Sequence, residues 1–280
     1  MNALELRDLT KSFPGFQLDH LNLTLPCGCI MGLIGENGAG KSTTMKLILD
    51  ILHKDGGSIS ILGRDNNDRL ELTKEDVGIV MDEVGIPECL TAKQVGNVMR
   101  LTFRNWQEDT YAGYLKKLSI PTDKPFKDFS RGNKMKLGIA IALSHDPKLL
   151  LLDEATSGLD PVVRDQVVEI FYDFTRDETH SILISSHIVS DLEKLCDYVV
   201  FLHKGKLLLC EEKDRLLEQY GIVRCTEAEF SALPSDAVKR ERKSAYSVEA
   251  LVLRDAVPSG IHISPVSIEE LFLFMVKEGN

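Results

Sequence analysis

Short apolar runs alternate along this chain with segments whose apolar residues recur three and four positions apart. Residues 4–9 and the run Leu21-Asn22-Leu23-Thr24-Leu25 alternate apolar and polar positions, which predicts two strands of an antiparallel ribbon. Residues 30–34 are an apolar run, and residues 58–62 and 77–81 read as further short strands. Residues 149–152, 181–185 and 198–202 are apolar or β-branched runs separated by helical patterns, so a parallel sheet wrapped by helices is expected. Met45, Leu49 and Leu52 fall at helical spacing within 43–52. Residues 91–142 differ: they carry helical patterns over 92–103, 109–118 and 131–143 and no strand. They predict a helical subdomain inserted into the sheet domain, punctuated by Pro121 and Pro125, with Ser130 as the N-cap of its last helix. From about Ile222 strand-like and helical pieces alternate weakly. The basic run 239–243 is either a polyanion patch or, with acids flanking it, a solvated strand face. A last helix begins at Ser267, with Glu270 completing a capping box and an apolar face expected to pack on the main domain.

Between the run at 30–34 and the pattern at 43–52 stands Gly35-Glu36-Asn37-Gly38-Ala39-Gly40-Lys41-Ser42. This is the G-x-x-x-x-G-K-[ST] phosphate-binding pattern in its strand-to-helix context, and it predicts a bound nucleoside triphosphate. The glycines let successive N–H groups turn inward toward phosphate oxygens, and the helix beginning near Thr43 adds its positive end. Lys41 is expected to reach the β- and γ-phosphates and the Ser42 hydroxyl to ligand Mg²⁺.

The 280 residues suffice for one large α/β domain with an appendage, and the net charge of −10 argues against nucleic acid as the main partner. The six cysteines form no C-x-x-C pair; Cys27 and Cys29 alone are too few for zinc, so reduced thiols are expected. No secretion signal is read at the N-terminus, and no run approaches the ~20 apolar residues of a membrane span. A membrane role would have to come through a partner.

The run at 149–152 ends in Asp153-Glu154. Asp153 at a central strand's carboxyl end would face the Mg²⁺ held by Ser42, and Glu154, one residue farther, could polarise a water for attack on the γ-phosphate. His187 follows the strand at 181–186 and reads either as a surface residue or as one within reach of the γ-phosphate. Phe13, in the turn after Lys11-Ser12, reads equally as core or as an aromatic face for adenine.

With these residues in place, Phe129-Ser130-Arg131-Gly132-Asn133 resembles the signature motif of ATP-binding cassette (ABC) ATPases. Asp153-Glu154-Ala155-Thr156-Ser157-Gly158-Leu159-Asp160-Pro161 resembles that family's carboxylate strand end and D-loop, and Ser185-Ser186-His187 its switch histidine. The resemblance spans about residues 1–220, with a helical subdomain at about 88–145, and leaves 221–280 as a small α+β extension. It implies an α/β fold: a P-loop ATPase with a mixed-sheet core, an antiparallel β subdomain and the inserted helices. It implies ATP and Mg²⁺ as ligands, with Phe13, Gly35, Asn37, Gly38, Ala39, Gly40, Lys41, Ser42 and Thr43 on the nucleotide. Ser42, Asp153 and Asp82 would be near the metal, and Glu154, His187 and Lys41 would serve hydrolysis. It further implies two subunits closing head to tail on two ATP molecules. Ser130, Gly132 and Asn133 of one would then meet the nucleotide of the other, with Asp160 at the seam.

Two departures stand out. Asp82, followed by Glu83, occupies a place where most of the family has Gln; a carboxylate still suits Mg²⁺ but cannot donate an N–H. Within the signature Arg131 replaces Gly and Asn133 replaces Gln. The terminal Ile268-Glu269-Glu270-Leu271-Phe272 resembles the last helix of ATPase subunits in bacterial drug, antibiotic and peptide exporters. The reading is therefore a motor subunit at the cytoplasmic face of the membrane, held there by a separately encoded permease. The segment 82–104 would receive that partner, with Val84, Ile86, Leu90 and Val95 either flooring a groove or lying in the core. Soluble ABC ATPases of translation or DNA repair, and a binding-only regulator, are the alternatives. One cassette, no heptad repeat between Ser42 and Ser130, and intact Lys41, Asp153, Glu154 and His187 count against them.

Overall fold

The computed structural model describes residues 1–66, 74–244 and 247–276. The alternating N-terminal segments form β1 (Asn2–Phe13) and β2 (Phe16–Pro26), an antiparallel pair. After β3 (Ile30–Ile34) and the phosphate loop comes α1 (Lys41–Ile48). β4 (Gly56–Ile61) and β5 (Arg64–Asp65) then complete a four-stranded antiparallel sheet of order β2-β1-β4-β5. The periodicity of 43–52 predicted a longer helix than α1. It ends because Asp50 takes a left-handed φ of +54°, which turns the Ile51 and Leu52 N–H groups back onto the Lys46 carbonyl.

β6 (Val77–Val80) precedes the helical segment α2 (Ala92–Thr102), α3 (Glu108–Lys117) and α4 (Arg131–Leu143). Thr91 and Gln94 close a capping box on α2, and Ser130 Oγ accepts from the Asn133 N–H to cap α4. The chain continues through β7 (Leu149–Asp153), α5 (Pro161–Phe174), β8 (Ser181–Ser186), α6 (Val189–Leu195), β9 (Tyr198–His203) and β10 (Lys206–Glu212). The second sheet has the order β10-β9-β3-β8-β7-β6; its strands run parallel except β10, which returns antiparallel on β9. The mixed α/β core expected from the sequence is thus present.

This sheet is buried on both faces, which explains why its strands read as continuous apolar runs. Leu150, Leu152, Ile182, Ile184 and Phe201 pack toward the inserted helices and α9 (Ile268–Val276). Their strand neighbours Leu149, Leu151, Leu183, Val200 and Leu202 pack with α1 and the antiparallel sheet. After α7 (Lys213–Gln219), the strands β11 (Tyr220–Cys225), β12 (Val238–Lys243) and β13 (Val248–Leu253) form a third sheet of order β11-β13-β12, with α8 (Glu227–Ser231) between the first two in sequence. Ser267 and Glu270 make the capping box of α9, and Phe272 meets Phe201 edge-on at 5.2 Å between ring centroids. The basic run is the mostly exposed strand β12, with Arg242 lying over the Phe274 ring. Among the described residues no helix is long and apolar enough to cross a membrane.

Candidate nucleotide site

Three strands carry the site to one edge. β8 lies between β3 and β7, and the register sets Ile34 opposite Ser186 and Asp153 opposite Ser185. The segments leaving β3, β7 and β8 therefore emerge at one level, at the carboxyl edge where open α/β sheets bind ligands.

The loop after β3 can curl this tightly only with glycine. A Cβ on Gly35 would stand 2.5 Å from the Leu202 carbonyl oxygen, and Gly38 and Gly40 have φ of +81° and +112°. Gly40 precedes α1, whose first-turn amides on Lys41, Ser42 and Thr43 lie before any intrahelical acceptor. Lys41 is 6% exposed, and its ammonium donates to the Gly35 carbonyl at 2.7 Å and the Glu36 carbonyl at 3.2 Å. Burial pushes its pKa down, while Glu154 and Asp153 pull it back up. The loop thus holds a desolvated cation facing the ends of β7 and β8.

Asp153 is 2% exposed and accepts from Ser185 Oγ at 2.5 Å, which leaves acceptor capacity on its carboxylate. Glu154 adopts φ +55°, a left-handed conformation that non-glycine residues seldom hold. Its N–H donates to the Ser185 carbonyl at 3.1 Å, anchoring the turn. Its side chain then bridges two partners: Oε2 lies 2.6 Å from His187 Nδ1 and Oε1 3.9 Å from Lys41 Nζ. Lys41, Glu154 and His187 therefore form one connected group.

A cavity of about 770 Å³ opens over this group, lined by Glu36, Asn37, Gly38 and the stretch from Gly40 to Thr43, together with Asp82, Glu154, Ser157 and His187. Its aromatic wall is Phe16 beside Gly15. Phe13 ends β1 partly exposed rather than in the core, with its ring centroid 6.3 Å from that of Phe16. Gly35 and Ala39 support the loop from behind.

Ser130, Gly132, Asn133 and Asp160 do not line the cavity of their own chain. Ser130 and Asp160 are exposed caps of α4 and α5, and a Cβ on Gly132 would stand 3.4 Å from the Gly158 carbonyl, so α4 and the loop at Gly158 pack closely. Arg131, from the same first turn of α4, does line the cavity and meets Asp82 at 2.6 Å. Asp82 and Arg131, one residue from each departure noted in the sequence, are thus one ion pair. Of the residues named as a groove floor, Val95 is buried in the core and Val84 and Ile86 pack against it.

Residues 18–157 match the family described as ABC transporter. The chain belongs to the ABC transporter family. It is 39% identical over 214 residues to the lantibiotic transport ATP-binding protein SrtF of Streptococcus pyogenes, covering 75% of this chain and 91% of that protein. It is 33% identical to the ABC transporter ATP-binding protein YtrB of Bacillus subtilis, covering 96% and 97%, and 34% identical to the bacitracin transport ATP-binding protein BcrA of Bacillus licheniformis, covering 73% and 68%. A solved ATP-binding subunit of an ABC transporter superposes with a TM-score of 0.71 at 27% identity, over 78% of this chain and 92% of that one. A dimeric ATP-binding cassette in a post-hydrolysis state with ADP and Pi shares the fold, with a TM-score of 0.67 at 21% identity over 75% and 98%. The chain is an ATP-binding, ATP-hydrolysing subunit of this family.

Reading the sequence by motif missed three residues of this ABC subunit's site. Ser185, which holds both Asp153 and the Glu154 turn, was read only as part of the run leading to His187 and given no role of its own. Phe16 carries no motif, and Ser157, though inside the run read as the D-loop, was not singled out; the folded ribbon and loop bring both to the cavity.

Proposed function

We propose that this subunit hydrolyses ATP to drive a membrane exporter of antibiotics or peptides. It would work from the cytoplasmic face, bound to a separately encoded permease, and two ATPase subunits would close head to tail on two nucleotides. The carrying observation is the Lys41–Glu154–His187 group, set by sheet register at the floor of a cavity that the phosphate loop rims. The transport of a lantibiotic and of bacitracin named for two relatives supports the cargo class.

In this reading Lys41 and the first-turn amides of α1 bind the phosphates, and Phe16 flanks the base. Glu154 accepts the proton of the attacking water, and His187 holds its carboxylate in place. Oxygen donors on Ser42, Asp153 and Asp82 suit Mg²⁺, which needs only one or two carboxylates beside the phosphates. Bound there, Mg²⁺ would neutralise phosphate charge. The exposed Ser130 and Asp160 fit contacts made to a second subunit, since neither faces its own cavity. Residues 1–220 would carry this machinery and 221–280 an appendage.

The permease would dock beside α2, which exposes Val98 at 45% and Leu101 at 86%, three residues apart on one helix face. Co-purification of the tagged chain from membranes tests the reading. A polytopic membrane protein should co-elute and be identified by mass, and Leu101→Glu should weaken its recovery. Recovery of the chain free of any membrane protein, with ATPase activity intact, would contradict the exporter role.

A further inference from the structure

Arg131 stands apart from the rest of the signature segment. Its neighbours Ser130 and Asn133 do not line their own chain's cavity, whereas Arg131 lines it together with Lys41. Two features place it there. Its stem lies over Gly158, where a Cβ would stand 3.2 Å from the Arg131 Cδ, so the two pack tightly. Its guanidinium is held at 2.6 Å by Asp82, the residue that follows β6 and Met81. The anions facing this cavity are Asp82, Glu36 and Glu154, while Lys41 is the loop's own cation. Arg131 is therefore a second cation in the space that would receive a polyphosphate.

We infer that Arg131 is a phosphate-binding residue of its own chain's nucleotide site, held in place by Asp82 until nucleotide enters. This rests on the ATP reading of the cavity. The pair is half-exposed on both sides, and such pairs are weak in water, so a polyphosphate can compete for the guanidinium. A guanidinium presents a planar fork suited to phosphate oxygens, so the exchange trades one charge-assisted bond for another. Asp82 is also an oxygen donor suited to Mg²⁺, and a metal held there would compete with Arg131 for its carboxylate and leave the phosphates as the guanidinium's anionic partner.

The test is nucleotide binding by the full chain at concentrations where light scattering shows a monomer, so that no second subunit contributes. Titration with AMP, ADP and ATP, in EDTA and in Mg²⁺, is compared for wild type, Arg131→Gln, Arg131→Lys and Asp82→Asn, and for the Asp82→Asn/Arg131→Gln double variant. Arg131→Gln should weaken ATP about three- to tenfold, ADP less and AMP not at all, with a larger loss in Mg²⁺ than in EDTA. Arg131→Lys should recover most of that affinity. Asp82→Asn should tighten ATP in EDTA, and the gain should shrink when Arg131 is also Gln. Both side chains are exposed, so unfolding temperatures should stay at the wild-type value. An Arg131→Gln chain that binds ATP as wild type does, or that loses AMP and ATP equally, overturns the inference. So does an Asp82→Asn gain of the same size in both backgrounds. Failure of the wild type itself to bind ATP would remove the nucleotide reading along with it.

Discussion

Glu154 and Asp82 both present a carboxylate to the same cavity, and their surroundings differ. Glu154 stands at a sheet edge: its N–H is fixed to Ser185, its φ is held left-handed, and both its oxygens have buried or directed partners. Asp82 stands on irregular chain between β6 and the inserted helices, half-exposed, with one cationic partner from α4. Strand register sets the first position. The second depends on where the helical segment lies against the sheet. The chemistry therefore sits on the rigid unit, and the residue most able to report nucleotide to the helices sits on the junction.

The comparison can be broken first at its rigid end. Lys41→Ala removes the buried cation that joins the loop to Glu154, and ATP affinity should fall by at least about a hundredfold in equilibrium binding, consistent with losing charge-assisted bonds in a desolvated site. Ser185→Ala comes next. It takes the hydroxyl from the buried Asp153, so stability to urea should drop by about 1–3 kcal/mol and kcat should fall with it. At the junction the effects should be smaller and of another kind. Asp82→Ala should leave ATP affinity within about a fewfold of wild type, as expected for an exposed pair, yet reduce transport per ATP hydrolysed in vesicles containing the permease. Unchanged transport stoichiometry would remove Asp82 from the coupling path.

The smallest effect concerns the other end of the insertion. His145 is buried after α4, stacks on Phe103 with centroids 4.0 Å apart, and faces the Glu75 carbonyl through Nδ1 at 3.0 Å. Burial holds its pKa below that of an ordinary histidine. A folded-state pKa lower than the unfolded one means its stabilisation is complete above the unfolded value and is lost as pH falls through the folded one. Thermal unfolding between pH 7 and 5 should therefore be flatter for His145→Phe than for wild type. Parallel curves for the two would show that His145 does not contribute.

Most of the fold was legible because its signals are local. Period-two runs gave β1 and β2, apolar runs gave the parallel strands, and the caps at Ser130 and Ser267 mark real helix starts. α1 was read too long because its stop is a left-handed Asp50, which leaves no signal in apolar spacing. The site divides in the same way. The glycine loop, Asp153, Glu154 and His187 carry motifs, and the fold brings them to one sheet edge. Phe16 was not legible, because only the ribbon's turn brings it beside Gly15 to the cavity. The pairing of Asp82 with Arg131 joins residues 49 apart in sequence, and no local pattern announces it.

Glu154→Gln tests the central claim most directly. The substitution keeps the side chain's size and removes its capacity to take a proton. Mass measurement by light scattering, with ATP, ADP or no nucleotide, should show the variant at twice the chain's 31.3 kDa in ATP alone, with hydrolysis reduced by at least about a hundredfold. A variant that stays monomeric in saturating ATP, or that hydrolyses ATP at the wild-type rate, would contradict the account.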